Sequence, residues 1–474
     1  MLETIIKDFE IFTAYYSVSY ILIYVTLSIL SFLAIKNYYN SKYFLHKDIL
    51  IKSNHTLGVS IIAPAFNESN TIVENVKSLL SQEYPKFEVI IINDGSTDNT
   101  LEKLILEFEL VLVDFFYQEN IITKPVRGHY KSTDPIYSKL LVIDKENGKS
   151  KADASNAGIN SAKYSLFLCT DVDCILRKDT VAMLVKPFIE NTTKVIATGA
   201  AIRISNSCEF KDGMLYKSHY PKNFYARFQE LEYLRSFLFG RMAWSRTNCL
   251  MLVSGGLGMF DKATVIEAGG YWHQSLGEDM ELITRMRRLM HDKKEEFLIK
   301  YIPESLCWTE VPNDNIIFLR QRVRWARGLV QTLYIHRKLF LNPKYGKTGF
   351  ICFPYFVFCE FFVPILEIVG VIVLSIDYLY FSINYDFLVI ISVFVYLFYT
   401  TITLISIYLD QLIHKQYSSI KEIATLILMV FLEPFLYHPI NVYASLKGYS
   451  HFLVNKEKKW GTMTRQGFTN AIIK

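Results

Sequence analysis

Two carboxylates at Asp171 and Asp173 close an apolar run, Leu166-Phe167-Leu168-Cys169-Thr170. A short apolar run bounded by polar residues reads as a buried strand. At the mouth of such a strand, side chains spaced i, i+2 can share one hard cation and leave coordination positions for a phosphate, the arrangement that suits Mg2+ or Mn2+. An Asp-rich turn would use the same letters. The candidate general base is Asp279 in Gly277-Glu278-Asp279, although carboxylates in a helix's first turn also stabilise the helix alone. Lys151 stands ahead of a helix, where a cation and free backbone N–H groups would meet the same anion. Its bland reading is a solvated surface lysine. Asp94, in Asn93-Asp94-Gly95-Ser96, can accept hydrogen bonds from a nucleotide, or can simply make a favoured Asp-Gly turn.

A second constellation is Gln321-Arg322-Val323-Arg324-Trp325, inside a helical pattern from Asn315 to about Arg337. At roughly 100° per residue, Gln321, Arg324 and Trp325 share a face and Arg322 points elsewhere. Indole, guanidinium and amide together can stack a sugar ring beside a diphosphate; a basic helix at lipid headgroups would look similar. Val253-Ser254-Gly255-Gly256-Leu257-Gly258 lets backbone approach a ligand, but its spacing is not a dinucleotide fingerprint.

The elements that must hold these groups alternate strand and helix. Val59–Ala63 is a strand, Pro64–Asn70 a turn, Thr71–Gln82 a helix and Glu88–Ile92 a second strand. A helix opened at Lys151 leads into the Asp171 strand, and an amphipathic helix runs from Glu278 to Met290. This order predicts a largely parallel sheet with ligands at the carboxyl edge. Residues 117–150 form a less regular insert containing a strand-like Lys139–Ile143. Residues 222–246 fit either a core helix or a helix on a membrane surface.

Of 474 residues, 51% are apolar and 15% aromatic, and this richness concentrates near 14–35 and beyond 348. Ala14–Ile35 carries no charge and can span a bilayer. Glu3, Lys7, Asp8 and Glu10 before it are unlike a cleavable signal, and Lys36, Lys42, Lys47 and Lys52 after it place the following domain in the cytoplasm. Phe362–Ile383 and Phe387–Leu409 read as spans. Phe350–Phe361 reads as interfacial, and Ile423–Leu446 is broken by Glu433, Pro434, His438 and Pro439. Three or four spans result. The net charge of +5 gives no case for nucleic acid. The seven scattered Cys fit neither structural zinc nor a disulfide framework, and read as small buried residues of a reducing compartment.

Taken in order, Ala65-Phe66-Asn67-Glu68, Asn93-Asp94-Gly95-Ser96, Lys151-Ala152-Asp153, Asp171-Val172-Asp173, Gly277-Glu278-Asp279 and Gln321–Trp325 resemble the membrane-bound family 2 glycosyltransferases, which include cellulose, chitin, hyaluronan and poly-N-acetylglucosamine synthases. The resemblance covers about residues 55–345. It implies a GT-A domain, an α/β fold with a Rossmann-like mixed sheet, joined to an α-helical transmembrane region. It also implies inverting transfer from a UDP-sugar with Mg2+ or Mn2+.

By that resemblance Asp279 is the base. Asp94, Lys151, Asp171, Gln321, Arg322 and Arg324 bind the donor, Asp171 and Asp173 hold the metal, and Trp325 and Glu278 face the acceptor. The expected division is an anchor and linker (1–52), a cytoplasmic catalytic domain (53–345), interfacial and transmembrane helices (346–446) and a basic tail (447–474), with Trp460–Arg465 folding back on the catalytic face. The expected protein is multi-pass in the plasma (inner) membrane, with a growing glycan or lipid as acceptor, lipid contacts and an accessory export subunit. Single transfer to a lipid, or a non-catalytic scaffold, are the competing readings.

Overall fold

The computed structural model describes residues 2–41, 50, 52–53, 56–211, 214–380, 385–414, 416–417 and 419–455. Lys42, Lys47 and the expected fold-back of Trp460–Arg465 lie outside these residues. Twelve strands are described: β1 (Val59–Ala65), β2 (Phe87–Asn93), β3 (Leu110–Val113), β4 (Val126–Ser132), β5 (Leu140–Lys145), β6 (Leu166–Thr170), β7 (Ile175–Leu176), β8 (Val195–Ile204), β9 (Glu209–Lys211), β10 (Met214–Lys217), β11 (Leu257–Asp261) and β12 (Leu298–Thr309). Ten of them form one sheet in the order β3-β4-β5-β2-β1-β6-β11-β8-β12-β7, while β9 and β10 pair separately.

The central strands β5, β2, β1 and β6 run parallel, and β11 enters antiparallel between β6 and β8. The sheet is therefore mixed, with β12 pairing parallel to β8 beyond β11. β1 lies between β2 and β6: the chain runs outward from β1 to β2 and, after β5, returns to the other side of β1 at β6. That is the switch point outside which α/β sheets bind ligands. Both faces are apolar: Val59, Ile61, Ile62, Val89–Ile92, Phe167 and Leu168 are essentially inaccessible. Such continuous apolar strands are what a sheet covered on both sides requires.

The helices begin close to where the spacing puts them: Ile72–Leu80, Lys151–Ser161, Glu278–Lys293 and Asn315–Ile335. The first long helix, Leu2–Ser41, extends well beyond the uncharged 14–35 run, and its first turn carries a Lys7–Glu3 ion pair. Three helical stretches among the described residues are long and apolar enough to cross a membrane: Glu3–Asn40, Thr348–Tyr380 and Leu388–His414. A fourth crossing is available if the helices Ile420–Leu436 and His438–Leu453, bent by 46° at their junction, count as one. The second of this pair runs past the expected boundary at residue 446.

Residues 222–246 satisfy neither sequence alternative alone. They form a helix (Phe224–Leu234), a π-helical stretch (Arg235–Arg241) and a short helix (Met242–Arg246). This segment lies between the sheet and the membrane-type helices. Ser31 of the first helix donates to the Leu238 carbonyl at 2.8 Å, and Arg235 forms an ion pair with Glu433 at 2.5 Å.

The Asn315–Ile335 helix is fixed on two sides by glycines. A Cβ on Gly448 would lie 2.7 Å from both the Ala326 Cβ and the Val323 carbonyl oxygen. Replacing Gly448 by Leu should therefore overpack this crossing, costing about 1–3 kcal/mol, read as a lower melting temperature of the detergent-solubilised protein.

Candidate active site

The carboxyl ends of β1, β2, β5 and β6 supply two adjoining charge clusters. In the first, Asp94 follows β2, and its Oδ1 accepts from Lys145 Nζ at 2.8 Å and from the Gly148 N–H at 3.0 Å. Lys145, fully buried at the end of β5, also donates to Asp153 Oδ2 at 2.6 Å. A buried ammonium needs such partners. Burial raises the Asp94 pKa, while Lys145 and the Gly148 N–H pull it back. The turn demands its glycine: Gly95 has φ +65°, and a Cβ there would lie 2.7 Å from the Asn147 nitrogen. Asn67, in the turn after β1, accepts from the Thr97 N–H at 2.8 Å, locking the two turns together.

The second cluster is built on Asp171. Lys151, the first residue of its helix, places Nζ 2.5 Å from Asp171 Oδ1 and donates to the Gly255 carbonyl at 2.7 Å. Burial is the largest influence on Lys151 and opposes its charge, but Asp171, Cys169 and Glu278 together outweigh it and the pKa is raised. A tight turn, with the Cys174 N–H on the Asp171 carbonyl at 3.0 Å, folds Asp173 back beside Asp171. Ligand atoms of Asp171, Asp173 and Cys174 lie within 4.8 Å of one another. Two carboxylates so close suit a hard divalent cation; the Cys174 sulfur is the softer third neighbour.

The Gly255-Gly256 loop joins this cluster to the candidate base. The Gly255 N–H donates to Asp279 Oδ2 at 3.1 Å, while its carbonyl receives Lys151. A Cβ on Gly255 would sit 3.4 Å from Lys151 Nζ and 3.6 Å from Asp279 Oδ2, and one on Gly256 would sit 3.5 Å from Asp171 Oδ2. Asp171 and Asp279 thus border the same two-residue loop. Beside them Glu278 is buried, and burial first, then the Asp279 charge, pushes its pKa up to about 7; Arg324 and Lys151 counteract this. Arg324 is thereby placed electrostatically at the base end of the cluster.

The raised Glu278 carboxyl has a pH consequence. Its stabilising contribution is fully present below the ordinary value of 4.5 and is lost as pH rises through about 7. Glu278→Gln should flatten the decline in melting temperature between pH 5 and 8, by an amount equivalent to at most about 3 kcal/mol.

Gly328 brings the Gln321–Trp325 helix to this cluster. A Cβ there would lie 2.7 Å from the Gly277 nitrogen, so the two helices meet backbone to backbone just ahead of Glu278. Gln331 secures the contact, accepting from the Leu276 N–H at 3.1 Å and donating to the Gln274 carbonyl at 2.8 Å. Gln321 Oε1 is buried without a hydrogen-bond partner among the described residues, and Trp325 is 39% exposed. Arg322 departs from its expected donor-binding place. It turns away from the carboxylates to pair with Glu232 and to donate to the Tyr437 hydroxyl at 3.1 Å, because its helix faces the membrane-type helices on that side.

Residues 60–109 match the family described as Glycosyl transferase family 2, and residues 131–328 match the one described as Glycosyltransferase like family 2. The chain belongs to glycosyltransferase family 2. The catalytic domain of this family 2 enzyme accordingly has the GT-A fold. Among curated relatives, a Staphylococcus epidermidis protein named poly-beta-1,6-N-acetyl-D-glucosamine synthase is 30% identical over 286 residues, 60% of this chain and 58% of the relative. The synthase of the same name from Staphylococcus aureus (strain MSSA476) is 28% identical over 290 residues, again 60% and 58%. The alignment thus spans less than two thirds of the relatives' length. A solved mannosyltransferase of Pyrobaculum calidifontis, in complex with GDP-Man and Mn2+, superposes with a TM-score of 0.48 at 17% identity, covering 91% of this chain and 100% of that one.

Lys145 is the part of the cluster to which the sequence reading gave no role, and the Gly255-Gly256 loop was read only as letting backbone approach a ligand. The signal for Lys145 was present: a lysine directly after Asp144, at the end of a strand-like run, has to find acidic partners if the strand is buried.

Proposed function

We propose that this enzyme transfers a sugar from a UDP-sugar to the hydroxyl of a growing β-linked glycan, at the membrane surface and with inversion. The observation that carries the reading is the Gly255-Gly256 loop, which Asp171, Lys151 and Asp279 all border. Asp279 takes the proton of the acceptor hydroxyl as its oxygen bonds to the donor C1, and the bond from C1 to the diphosphate breaks. One carboxylate suffices for such a displacement. The electron pair leaves on the diphosphate, where Lys151 and Arg324 offset the added charge. Asp171 and Asp173 would hold Mg2+ or Mn2+, which when bound neutralises charge on the departing diphosphate. Asp94 takes the uridine end, Gln321 the diphosphate, and Glu278 and Trp325 the acceptor side.

The relatives' names make N-acetylglucosamine the first donor to test and a polymer the first product. On this reading the catalytic domain is cytoplasmic, three or four spans anchor it in the plasma membrane, and an export subunit receives the glycan. Purified full-length protein in lipid, given a panel of UDP-sugars with Mg2+ or Mn2+, should release UDP and form a polymer of one sugar. A single sugar on lipid would reassign the acceptor; no UDP release from any donor would overturn transferase activity.

A further inference from the structure

The bend between the Ile420–Leu436 and His438–Leu453 helices is gripped by two arginines from the catalytic side. Arg235 holds Glu433 through two hydrogen bonds, at 2.5 and 2.7 Å. One turn later, at the junction, the Tyr437 hydroxyl donates to Glu232 Oε2 at 2.6 Å and receives Arg322 Nη2 at 3.1 Å. Arg322 closes the triangle by pairing with Glu232. Its guanidinium carbon also lies 4.3 Å from the Trp325 ring centroid and 4.9 Å from that of Phe318. Phe318, Arg322 and Trp325 follow one another at i, i+4 and i+3, so a single helix face presents ring, cation and ring. The Tyr437 ring is itself wedged against Phe228 and Phe318, each at 5.3 Å.

Burying a guanidinium is costly, the more so because Arg322 Nε has no hydrogen-bond partner among the described residues, and an apolar side chain would fill the space at less cost. What the arginine adds is direction. Its planar fork is fixed by Glu232 and Tyr437, and its face then fixes the indole. Trp325 is the one partner of this network left 39% exposed.

We propose that Arg322 is a positioning residue for the acceptor. It holds the Trp325 indole as a stacking surface for a sugar ring and ties that surface to the helix junction at Tyr437. The role rests on the glycan-synthesis reading above, and replaces donor binding for this residue.

The test uses the full-length protein in lipid and two probes, a β-linked N-acetylglucosamine oligomer and UDP. Oligomer binding is read as tryptophan fluorescence that Trp325→Phe abolishes; UDP binding is read by calorimetry. Arg322→Met should weaken the oligomer about tenfold, the size of one lost cation–π contact near a desolvated ring. Arg322→Lys should fall between, and UDP affinity should stay within about twofold in both. Tyr437→Phe keeps the ring packing and removes only the hydroxyl, so it serves if the arginine variants fail to fold; it should weaken the oligomer about threefold. In turnover the variants should raise the acceptor KM and leave the donor KM unchanged. Weaker UDP binding would return Arg322 to the donor site, and unchanged oligomer binding would also overturn the proposal. Neither binding arm requires transfer, so a wild-type protein inactive with every UDP-sugar would sink the glycan-synthesis reading separately.

Discussion

Asp279→Asn should abolish measurable sugar transfer and leave UDP-sugar binding intact. Asparagine keeps the size of the side chain and an oxygen able to accept the Gly255 N–H at the position now held at 3.1 Å. It loses the lone capacity that matters, accepting a proton from the attacking hydroxyl. General-base contributions are roughly 10²–10⁴-fold, or about 3–5 kcal/mol of barrier. Calorimetric binding of UDP and radiolabelled sugar incorporation would be measured on the same preparation. Near-normal incorporation removes Asp279 from the mechanism. Lost UDP binding would show instead that the Gly255 loop has collapsed, since that loop also receives Lys151.

Asp171→Ala and Asp173→Ala should each lower turnover by roughly 10²–10³-fold, the usual scale for removing one group that stabilises developing charge. Both should also weaken binding of Mn2+, followed by its paramagnetic resonance signal without any substrate. Asp171 is also paired with Lys151, at 2.5 Å, so Asp171→Ala leaves a half-buried ammonium with the Gly255 carbonyl as its remaining described hydrogen-bond partner. A lower melting temperature is expected for that variant. If both retain Mn2+ binding, the carboxylate pair is not the metal site.

The positions of the candidate residues that stand where regular elements end were readable, because strand and helix ends obey local rules. Asp171 closes an apolar five-residue strand, Asp94 follows another, and Lys151 and Glu278 open helices whose spacing is clear. The Gln321–Trp325 helix was equally plain, but the spacing set Arg322 apart from Trp325, whereas its guanidinium carbon lies 4.3 Å from that ring's centroid. What held Arg322 there was not readable. Its partners, Glu232 and Tyr437, are 90 and 115 residues away, and no local pattern pairs them. The segment 222–246 was ambiguous for a related reason. Its apolar residues meet both the sheet and the membrane-type helices, and the π-helical Arg235–Arg241 shifts the helical phase midway. The first helix was read too short because hydropathy marks the part that lipid could surround, while the polar turns before it continue the same helix.

The bare backbone contacts at Gly328 and Gly448 bear on how this enzyme can be handled. The helix between them faces the base-bearing helix through one glycine and the last described helix through the other, with 2.7 Å left for any added carbon on either side. A fragment ending near Tyr345 would strip one flank of that helix, uncovering Phe318, Ala326 and the cation at position 322 to solvent. Such a soluble truncation is expected to aggregate. Grafting the lipid-facing half of a relative onto this sheet would succeed only if the incoming helix brought an equally small residue to the crossing.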